Sequence, residues 1–304
     1  MNKISEKLLK NFLIKIKDND AFNIREDGKS IDRNNSKEIT ITSKTNKSGI
    51  DIKVEKNSIG KVLHIPVIVT KEGFKDVVYN DFYIGDNSIV TIYAGCIVNN
   101  DCKECSSHKG IHTFHLSKNS KVKYIEEHYG YGEKTNNKII DTDTIIYGEK
   151  DSIFIMKTIQ NRGVDKANRN TVATLNNNSI LDVNEKLLTG NNETVNSSFK
   201  VNLDGKNSRC NIISKAVSKD NSSQKFNSQI IGNNECVGHV ECDAIMMDKS
   251  KVLSTPSIEA NDTNATLTHE AAIGKIAKDE IIKLMTLGLS SKEAKDTIIK
   301  GFID

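Results

Sequence analysis

The chain has 304 residues, of which 37% are hydrophobic, with no Trp and only two Pro. Its 43 basic and 40 acidic side chains are interspersed and leave a net charge of +3, so no arm or tail indicates binding to nucleic acid. No apolar run approaches the ~20 residues that cross a bilayer, and we expect neither a membrane segment nor a signal peptide. Six scattered cysteines do not form a secreted disulfide framework, so we expect a cytoplasmic protein.

The N-terminal segment is predicted to be an amphipathic helix followed by a linker. Apolar residues recur near helical spacing at Ile4, Leu8, Leu9, Phe12 and Ile16. The stretch from Asp18 to Lys37 is polar and contains Gly and Asn, which is typical of a connection. We therefore interpret residues 1–37 as an N-terminal helix and linker.

Residues 38–273 have a different pattern, in which short β-rich runs such as EITIT, IDIKV and VLHIPVIV alternate with polar turns. A turn signature of Asn or Asp followed by Ser precedes a new strand at intervals of 27 to 32 residues. It occurs at Asn57-Ser58, Asn87-Ser88, Asn119-Ser120, Asp151-Ser152, Asn178-Ser179 and Asn207-Ser208. We interpret Lys249-Ser250 as a continuation of this series after a longer interval.

A regular turn period predicts stacked supersecondary units, each of which covers the apolar face of its neighbour. Because each unit contains β-strands, we expect a mainly β protein whose core is a β-helix, or β-solenoid. The alternative is a β-sandwich whose turns only resemble one another.

Residues 274–304 return to a helical pattern. A first helix is predicted from Lys278 to Leu287, where Gly288 provides a glycine C-cap. Ser290 and Glu293 form a capping box that opens a second helix. Together they predict an αα-hairpin, which either docks a partner or caps the open end of the solenoid.

The segment from Cys96 to His128 contains three of the six cysteines and four of the seven histidines. Thiolates and imidazoles at this density are the ligands that zinc, copper and Fe–S clusters use. Within it, Cys96 follows a glycine and is interpreted as lying near a turn, as is Cys236 further along the chain. These two are weaker candidates for a mobile ligand, whereas Cys210 is predicted to be a core residue.

Cys102 and Cys105 form a C-x-x-C motif that is followed by His108, His112 and His115. This spacing could bind zinc tetrahedrally. A predicted strand over residues 111–116 would turn His112 and His115 to opposite faces, which makes a joint site difficult. Three interpretations stay open: zinc binding, Fe–S or sulfur chemistry at Cys105 or its neighbours, and no metal role.

Two segments of the chain resemble the SufB/SufD scaffold proteins of iron–sulfur cluster assembly. The first is SSHKGIHTFHLSKNSKVKYIEEHYGYG (Ser106–Gly132), and the second runs from Gly238 to Phe302 and contains TPSIEA, LTHEAAIGKI and GLSSKEA in that order. The resemblance implies a right-handed parallel β-helix with flanking helical segments. It further implies that the C-terminal helices over residues 274–304 dock a SufC-type ABC ATPase.

The same resemblance implies that the chain forms a homodimer, or a heterodimer with a SufB/SufD-like paralogue, and that an Fe–S cluster is transiently assembled near the interface. The chain has no Gly-x-x-x-x-Gly-Lys-Ser/Thr loop of its own. We therefore expect a scaffold component of SUF-type cluster assembly that is not itself an enzyme and depends on ATP hydrolysis by SufC.

The resemblance also implies which residues carry the chemistry. Cys242 lies in the stretch where SufB has its functional Cys, His269 matches a residue of SufD, and Glu270 matches one of SufB. Since neighbouring residues of a strand point to opposite faces, His269 and Glu270 are not expected to chelate one ion together. The turn Asp248–Lys251 lacks a further Cys that many SufB proteins have, which leaves the contribution of such a second thiol open. Because it has Cys242, His269 and Glu270 together, the chain resembles SufB or short SufBD proteins more than SufD.

Two other functions are considered. A zinc-bearing β-solenoid that serves protein interaction would use Cys102 and Cys105. A carbohydrate-active enzyme is disfavoured, since such enzymes are usually secreted and line their grooves with aromatic residues, which make up only 5% of this chain.

Overall fold

The computed structural model describes Leu8, residues 16–132 and residues 137–303. The helix predicted over Ile4–Ile16 therefore lies outside the described residues, except for its two positions Leu8 and Ile16. Leu8 has helical backbone and is buried against Ile68 and Ile97. No described helix has both the length and the apolar character that crossing a membrane requires.

The described part of the chain consists mostly of short strands, and two helices follow them. In chain order, these elements are β1 (Ala21–Glu26), β2 (Lys29–Asn34), β3 (Ile39–Ser43), β4 (Gly49–Val54), β5 (Ile59–Val69), β6 (Lys75–Ile84), β7 (Ile89–Asn99), β8 (Ser106–Leu116), β9 (Lys121–Tyr131), β10 (Lys138–Gly148), β11 (Ile153–Gln160), β12 (Lys166–Leu175), β13 (Ile180–Thr189), β14 (Thr194–Leu203), β15 (Ser208–Ser218), β16 (Ser223–Gly232), β17 (Cys236–Met246), β18 (Lys251–Ala260), β19 (Thr266–Gly274), α1 (Lys278–Thr286) and α2 (Ser291–Ile303).

Each coil contributes one strand to each of two sheets. The odd-numbered strands from β5 to β19 form one sheet together with β1 and β2, and the even-numbered strands from β4 to β18 form the other together with β3. Successive coils pair in parallel, as β11 does with β13 and β14 with β16. This mainly β architecture of about eight turns confirms the predicted solenoid core.

In most coils, the turn that leads from the even-numbered to the odd-numbered sheet contains a residue in the left-handed conformation. The Asn and Asp residues of the predicted turn series have φ between 55° and 61°. Asn and Asp tolerate this region because their short polar side chains hydrogen-bond locally. The Ser that follows each of them is buried, and in four of the six its hydroxyl donates to a backbone carbonyl, as Ser120 Oγ does to the Ser117 carbonyl at 2.7 Å. The recurring motif therefore marks the corners at which the chain passes from one sheet to the other.

The interpretation of Lys249-Ser250 as part of the same series is wrong. This pair lies in the turn between β17 and β18, at the opposite corner of the coil from the turn between β14 and β15. Its left-handed residue is Asp248, which belongs with Asn191 and Asp220 of the two preceding coils. Each coil has two turns with similar sequences. The interval before Lys249-Ser250 is longer because this pair belongs to the other turn of its coil.

The linker interpretation of Asp18–Lys37 is wrong for most of its length. β1 and β2 form an antiparallel hairpin, and β1 also pairs in parallel with β5, so this segment extends the odd-numbered sheet. The hairpin turn is Asp27-Gly28, and both residues have the positive φ that a two-residue turn of type I′ requires. The polar composition concealed a strand in which Ala21, Asn23 and Arg25 alternate as buried residues.

The C-terminal end of the solenoid has no further coil to cover it. The large apolar side chains Leu253 and Ile258 of β18 and Ile273 of β19 are at least 40% exposed. The αα-hairpin is formed as predicted, with Ser290 and Glu293 in reciprocal backbone hydrogen bonds and a positive φ at Gly288.

The hairpin lies against the flank of the solenoid. Lys215 of β15 lies 5.7 Å from the ring centre of Phe302, and Lys219 lies 3.9 Å from Asp296 of α2. His269 and Ile273 of β19 stay exposed. The expectation that the helices cap the open end is therefore not met.

Substituting Asn119 tests the left-handed corner. We expect Asn119→Val to destabilise the protein by about 1–2 kcal/mol, because Val lacks the short polar side chain that hydrogen-bonds locally in this backbone conformation and its branched Cβ adds crowding. Asn119→Gly is expected to lose less, since glycine adopts the same φ freely. Urea unfolding measures both, and Asn227→Val, in the exposed middle of β16, is the control that should change little. Equal midpoints for the two Asn119 variants would contradict the corner argument.

Candidate functional site

Cys242 lies in β17, within the last coil that another coil covers. It pairs in register with Ser214 of β15 and with Ala271 of β19. Its side chain faces the interior and is only 2% exposed. Burial raises the pKa of the Cys242 thiol, and the nearby Ser254 hydroxyl only partly opposes that shift. The thiol is thus held protonated beneath a single terminal coil.

His269 and Glu270 lie on β19, on opposite faces of that terminal coil. His269 pairs with Val240, which is buried in the interior, whereas Glu270 pairs with Glu241 on the outer face. In a parallel sheet, paired residues point to the same side. His269 therefore shares the interior face of the open end with Cys242, and Glu270 does not.

Glu270 belongs instead to an acidic group on the outer face. Its neighbour Glu241 has a pKa raised by desolvation, by Asp243 and, more weakly, by Glu270 itself. Mutual repulsion among carboxylates of this kind favours binding of protons or cations. This group is separated from Cys242 by the thickness of the sheet.

The histidines that follow the C-x-x-C motif are not gathered around it. His108 faces the interior, where its Nδ1 lies 3.0 Å from an Asp76 carboxylate oxygen. His112 is also interior, whereas His115 lies outside and stacks between Tyr83 and Tyr147.

Cys102 and Cys105 themselves are partly exposed in the loop between β7 and β8. Across the described parts of the chain, no three His, Cys, Asp or Glu residues are arranged to hold a metal ion. The C-x-x-C motif and its histidines are thus not assembled as a zinc site.

The remaining cysteines are core residues. The interpretation of Cys96 as a residue near a turn is wrong, since it lies inside β7, and Gly95 before it is a strand residue. Burial raises the pKa of the Cys96 thiol well above its ordinary value. Cys236 is the first residue of β17 and is also buried, as is Cys210, which confirms that Cys210 is part of the core.

Sequence reasoning missed a buried ionic cluster inside the solenoid. Arg169 lies 2.7 Å from a carboxylate oxygen of Glu126 and 3.5 Å from one of Glu185. Its other Nη lies 3.0 Å from Nδ1 of His128. Burial alone would raise the pKa of Glu126, but His128 and Arg169 hold it well below the usual range. Buried ion pairs of this kind contribute little net stability, because the desolvation penalty offsets the attraction between the charges.

A row of inward-facing polar side chains, here called the polar file, extends from this cluster to Cys242. One interior position on successive strands of the odd-numbered sheet, from β9 to β17, is occupied by Glu126, Thr158, Glu185, Ser214 and Cys242. Ser214 donates a hydrogen bond of 2.7 Å to Glu185, and Ser197 from the facing sheet donates one of 2.6 Å. The signal in the sequence is a polar residue at the same inward position of each repeat, and it becomes visible only when the coils are aligned.

A family model described as SUF system FeS cluster assembly, SufBD core domain, matches residues 71–302. The chain belongs to the SufBD family. The match contains Cys242, His269, the polar file and both C-terminal helices. Membership of this family connects the chain with iron–sulfur cluster assembly.

Individual SufBD proteins from archaea are similar to the chain. An iron–sulfur cluster assembly SufBD family protein of Methanothermobacter thermautotrophicus is 28% identical over 240 residues, which cover 78% of this chain and 57% of that protein. An iron–sulfur cluster assembly SufBD family protein of Pyrococcus horikoshii is 28% identical over 235 residues, which cover 76% of this chain and 70% of that protein. An iron–sulfur cluster assembly SufBD family protein of Archaeoglobus fulgidus is 30% identical over 250 residues, which cover 81% of this chain and 66% of that protein. The chain thus matches 57% to 70% of the length of these three relatives.

The interior histidines make stability depend on pH. Burial lowers the pKa of His112 from 6.5 to about 4, so the unfolded chain takes up a proton first as the pH falls. Between pH 6.5 and pH 4 the free energy of unfolding therefore falls as the pH is lowered. By pH 5, this one residue has reduced the free energy of unfolding by about 2 kcal/mol relative to pH 7.5. We expect His112→Gln to lose less stability than wild type between pH 7.5 and pH 5, as measured by urea unfolding at both pH values. Parallel losses in the two proteins would contradict the assignment.

Proposed function

We propose that this chain is a cytoplasmic scaffold on which Fe–S clusters are built, and that iron and sulfide are its cargo. The observation that carries the proposal is the shared interior face of Cys242 and His269 at the uncovered end of a SufBD solenoid. A thiolate and a neutral imidazole are both ligands that protein-bound clusters use. The chain itself is a binding and assembly component and catalyses no reaction of its own.

A second subunit would complete the ligand set. One chain offers one thiol and one imidazole at this end, whereas Fe–S clusters commonly use four protein ligands. A partner docked on the same end, either an identical chain or a SufB/SufD-like paralogue, would double the donors. The exposed apolar side chains of Ile258 and Ile273, which pair with buried residues of the coil below, support a protein partner there, since exposed apolar surface favours association.

The C-terminal hairpin is the proposed docking element for a SufC-type ABC ATPase. Ile282, Met285 and Leu287 are apolar and between 43% and 77% exposed on this hairpin. Since the chain lacks a phosphate-binding loop, ATP-driven motion would come from that partner. Such motion is useful here because Cys242 is buried and must become accessible and deprotonated to bind iron.

A zinc-bearing β-solenoid for protein interaction is the alternative, and it rests only on the two partly exposed thiols of Cys102 and Cys105. Metal analysis of the purified protein separates the two functions. Stoichiometric zinc that is lost in Cys102→Ser and Cys105→Ser would favour this alternative over the scaffold.

Anaerobic reconstitution with ferrous iron and sulfide tests the cluster site. We expect the wild-type chain, co-expressed with its cognate ATPase, to acquire visible charge-transfer absorption and bound iron. Cys242→Ala and His269→Ala should each lose most of that iron, because each removes a cluster ligand. Cys210→Ala, which removes a core thiol away from the open end, is the control and should keep it. A colourless wild-type protein, with and without the ATPase, would contradict the proposal.

Charge introduced into the hairpin tests the docking element. Met285→Asp and Leu287→Asp are expected to weaken binding of the ATPase by about tenfold or more, because a buried unpaired carboxylate disrupts an apolar contact. Val77→Asp is the matched control, since Val77 is 41% exposed but lies on β6, far along the solenoid. Co-purification followed by light scattering measures both the complex and the number of chains in it. Undiminished binding by both hairpin variants would exclude this surface.

A further inference from the structure

The first strands of the chain enclose a cavity at the end of the solenoid opposite Cys242. The β1–β2 hairpin and the β3–β4 hairpin meet there around a volume of about 210 Å³. Most of its lining residues precede residue 71, where the family match begins. Four cationic side chains line it, from Arg25, Arg33, Lys44 and Lys47.

Three of these four cations interact with carboxylates. Arg25 is paired with Asp76 at 2.6 Å, Lys44 contacts both Asp51 and Asp81, and Lys47 interacts electrostatically with Asp81. In the ion pairs of residues 16–132 and 137–303, Arg33 has no carboxylate partner.

Arg33 is nevertheless held in a fixed position. It donates from Nε to Asn23 at 2.9 Å and from Nη2 to Ser43 at 3.0 Å. The Lys47 ammonium, by contrast, lies 4.3 Å from the ring centre of Tyr79, which is on the opposite face of β6 from the cavity residue Asn80. One preorganised positive charge, that of Arg33, therefore faces the cavity without a carboxylate partner.

Two hydroxyl groups of the cavity, those of Ser43 and Ser48, have protons available to donate. Ser43 Oγ accepts from Arg33, and Ser48 Oγ accepts from Arg25 at 2.7 Å. A hydroxyl that accepts from a guanidinium keeps its own proton for another acceptor. Among the hydrogen bonds of the described residues, neither hydroxyl uses that proton.

One acceptor is left without a partner among these donors. Asn80 is 4% exposed and lines the cavity, and its Oδ1 has no hydrogen bond. A buried acceptor of this kind is costly unless a ligand supplies a donor. The complementary ligand is an anion with several acceptor oxygens and one O–H group.

We propose that this cavity binds a small tetrahedral oxyanion, and that hydrogen phosphate fits it best. Its charge meets Arg33, its oxygens accept from Ser43 and Ser48, and its hydroxyl donates to Asn80. Fully ionised sulfate lacks that proton and leaves Asn80 unpaired. The cavity is smaller than the roughly 300–1,000 Å³ of sites for larger organic ligands, which favours an ion or the phosphate end of a longer molecule. This site is independent of the scaffold function.

Titration of the full chain with inorganic phosphate, at constant ionic strength in chloride buffer, tests the proposal by calorimetry and by the shift in melting temperature. We expect saturable binding of one phosphate, with sulfate weaker by about tenfold. Arg33→Gln should weaken phosphate binding by about tenfold or more, since it removes the charged donor. Lys53→Met, on the exposed face of β4, is the matched control and should bind like wild type.

Each outcome is decisive. A folded wild-type protein without saturable phosphate binding overturns the proposal, as does equal weakening by Lys53→Met, which would indicate diffuse surface charge. Should Arg33→Gln fail to fold, Ser43→Ala leaves every cation in place and must still weaken binding by about threefold or more. Glycerol phosphate identifies the source: tighter binding than phosphate indicates the phosphate end of a larger molecule, and weaker binding a free ion.

Discussion

In-register stacking of one coil on the next is the constraint on which the rest of the structure depends. Each corner must pass the chain to the other sheet at the correct height, and at many corners a left-handed Asn or Asp makes the turn tight. The corner side chains then bond to one another, as Asn119 does to Asn87 and Asn207 to Asn178, both at 3.2 Å. Register is thereby fixed outside the core, and the interior is free to vary in chemistry.

Because the register is fixed, side chains at the same interior position of successive coils lie next to one another in a continuous row. A polar residue that recurs inward on β9, β11, β13, β15 and β17 produces an unbroken polar path, although these residues are far apart in sequence. Arg169, Glu126 and Glu185 could not be buried singly without a large desolvation penalty. They are tolerated because neighbouring coils hold them within hydrogen-bonding distance, and aromatic layers such as Phe82 on Phe114 supply the apolar burial beside them.

The sequence predicted the parts of the molecule that local chemistry determines. The corner motif at Asn57 to Asn207 and the capping box at Ser290 each depend on a few adjacent residues, and both were found where expected. The β1–β2 hairpin was missed because its Asp27-Gly28 turn lies in a stretch of mostly polar residues. The interior cluster was missed for another reason: within one strand, an inward Glu looks like an outward one until pairing with the next coil fixes its face.

The two ends of the solenoid are not equivalent, and this asymmetry bears on how the molecule works. A stack of coils exposes unpaired strand edges and interior side chains wherever it stops, so natural solenoids cap their ends. At the first end, two antiparallel hairpins close the stack and bury Arg25 and Asn23 beneath them. At the last end β19 is an unpaired sheet edge, His269 and Ile273 are exposed, and Cys242 lies one coil below. For the proposed scaffold, an end left uncapped one coil above a buried thiol would suit a cap that arrives from another subunit, because docking would pair the free strand edge and place further donors beside His269 in one step.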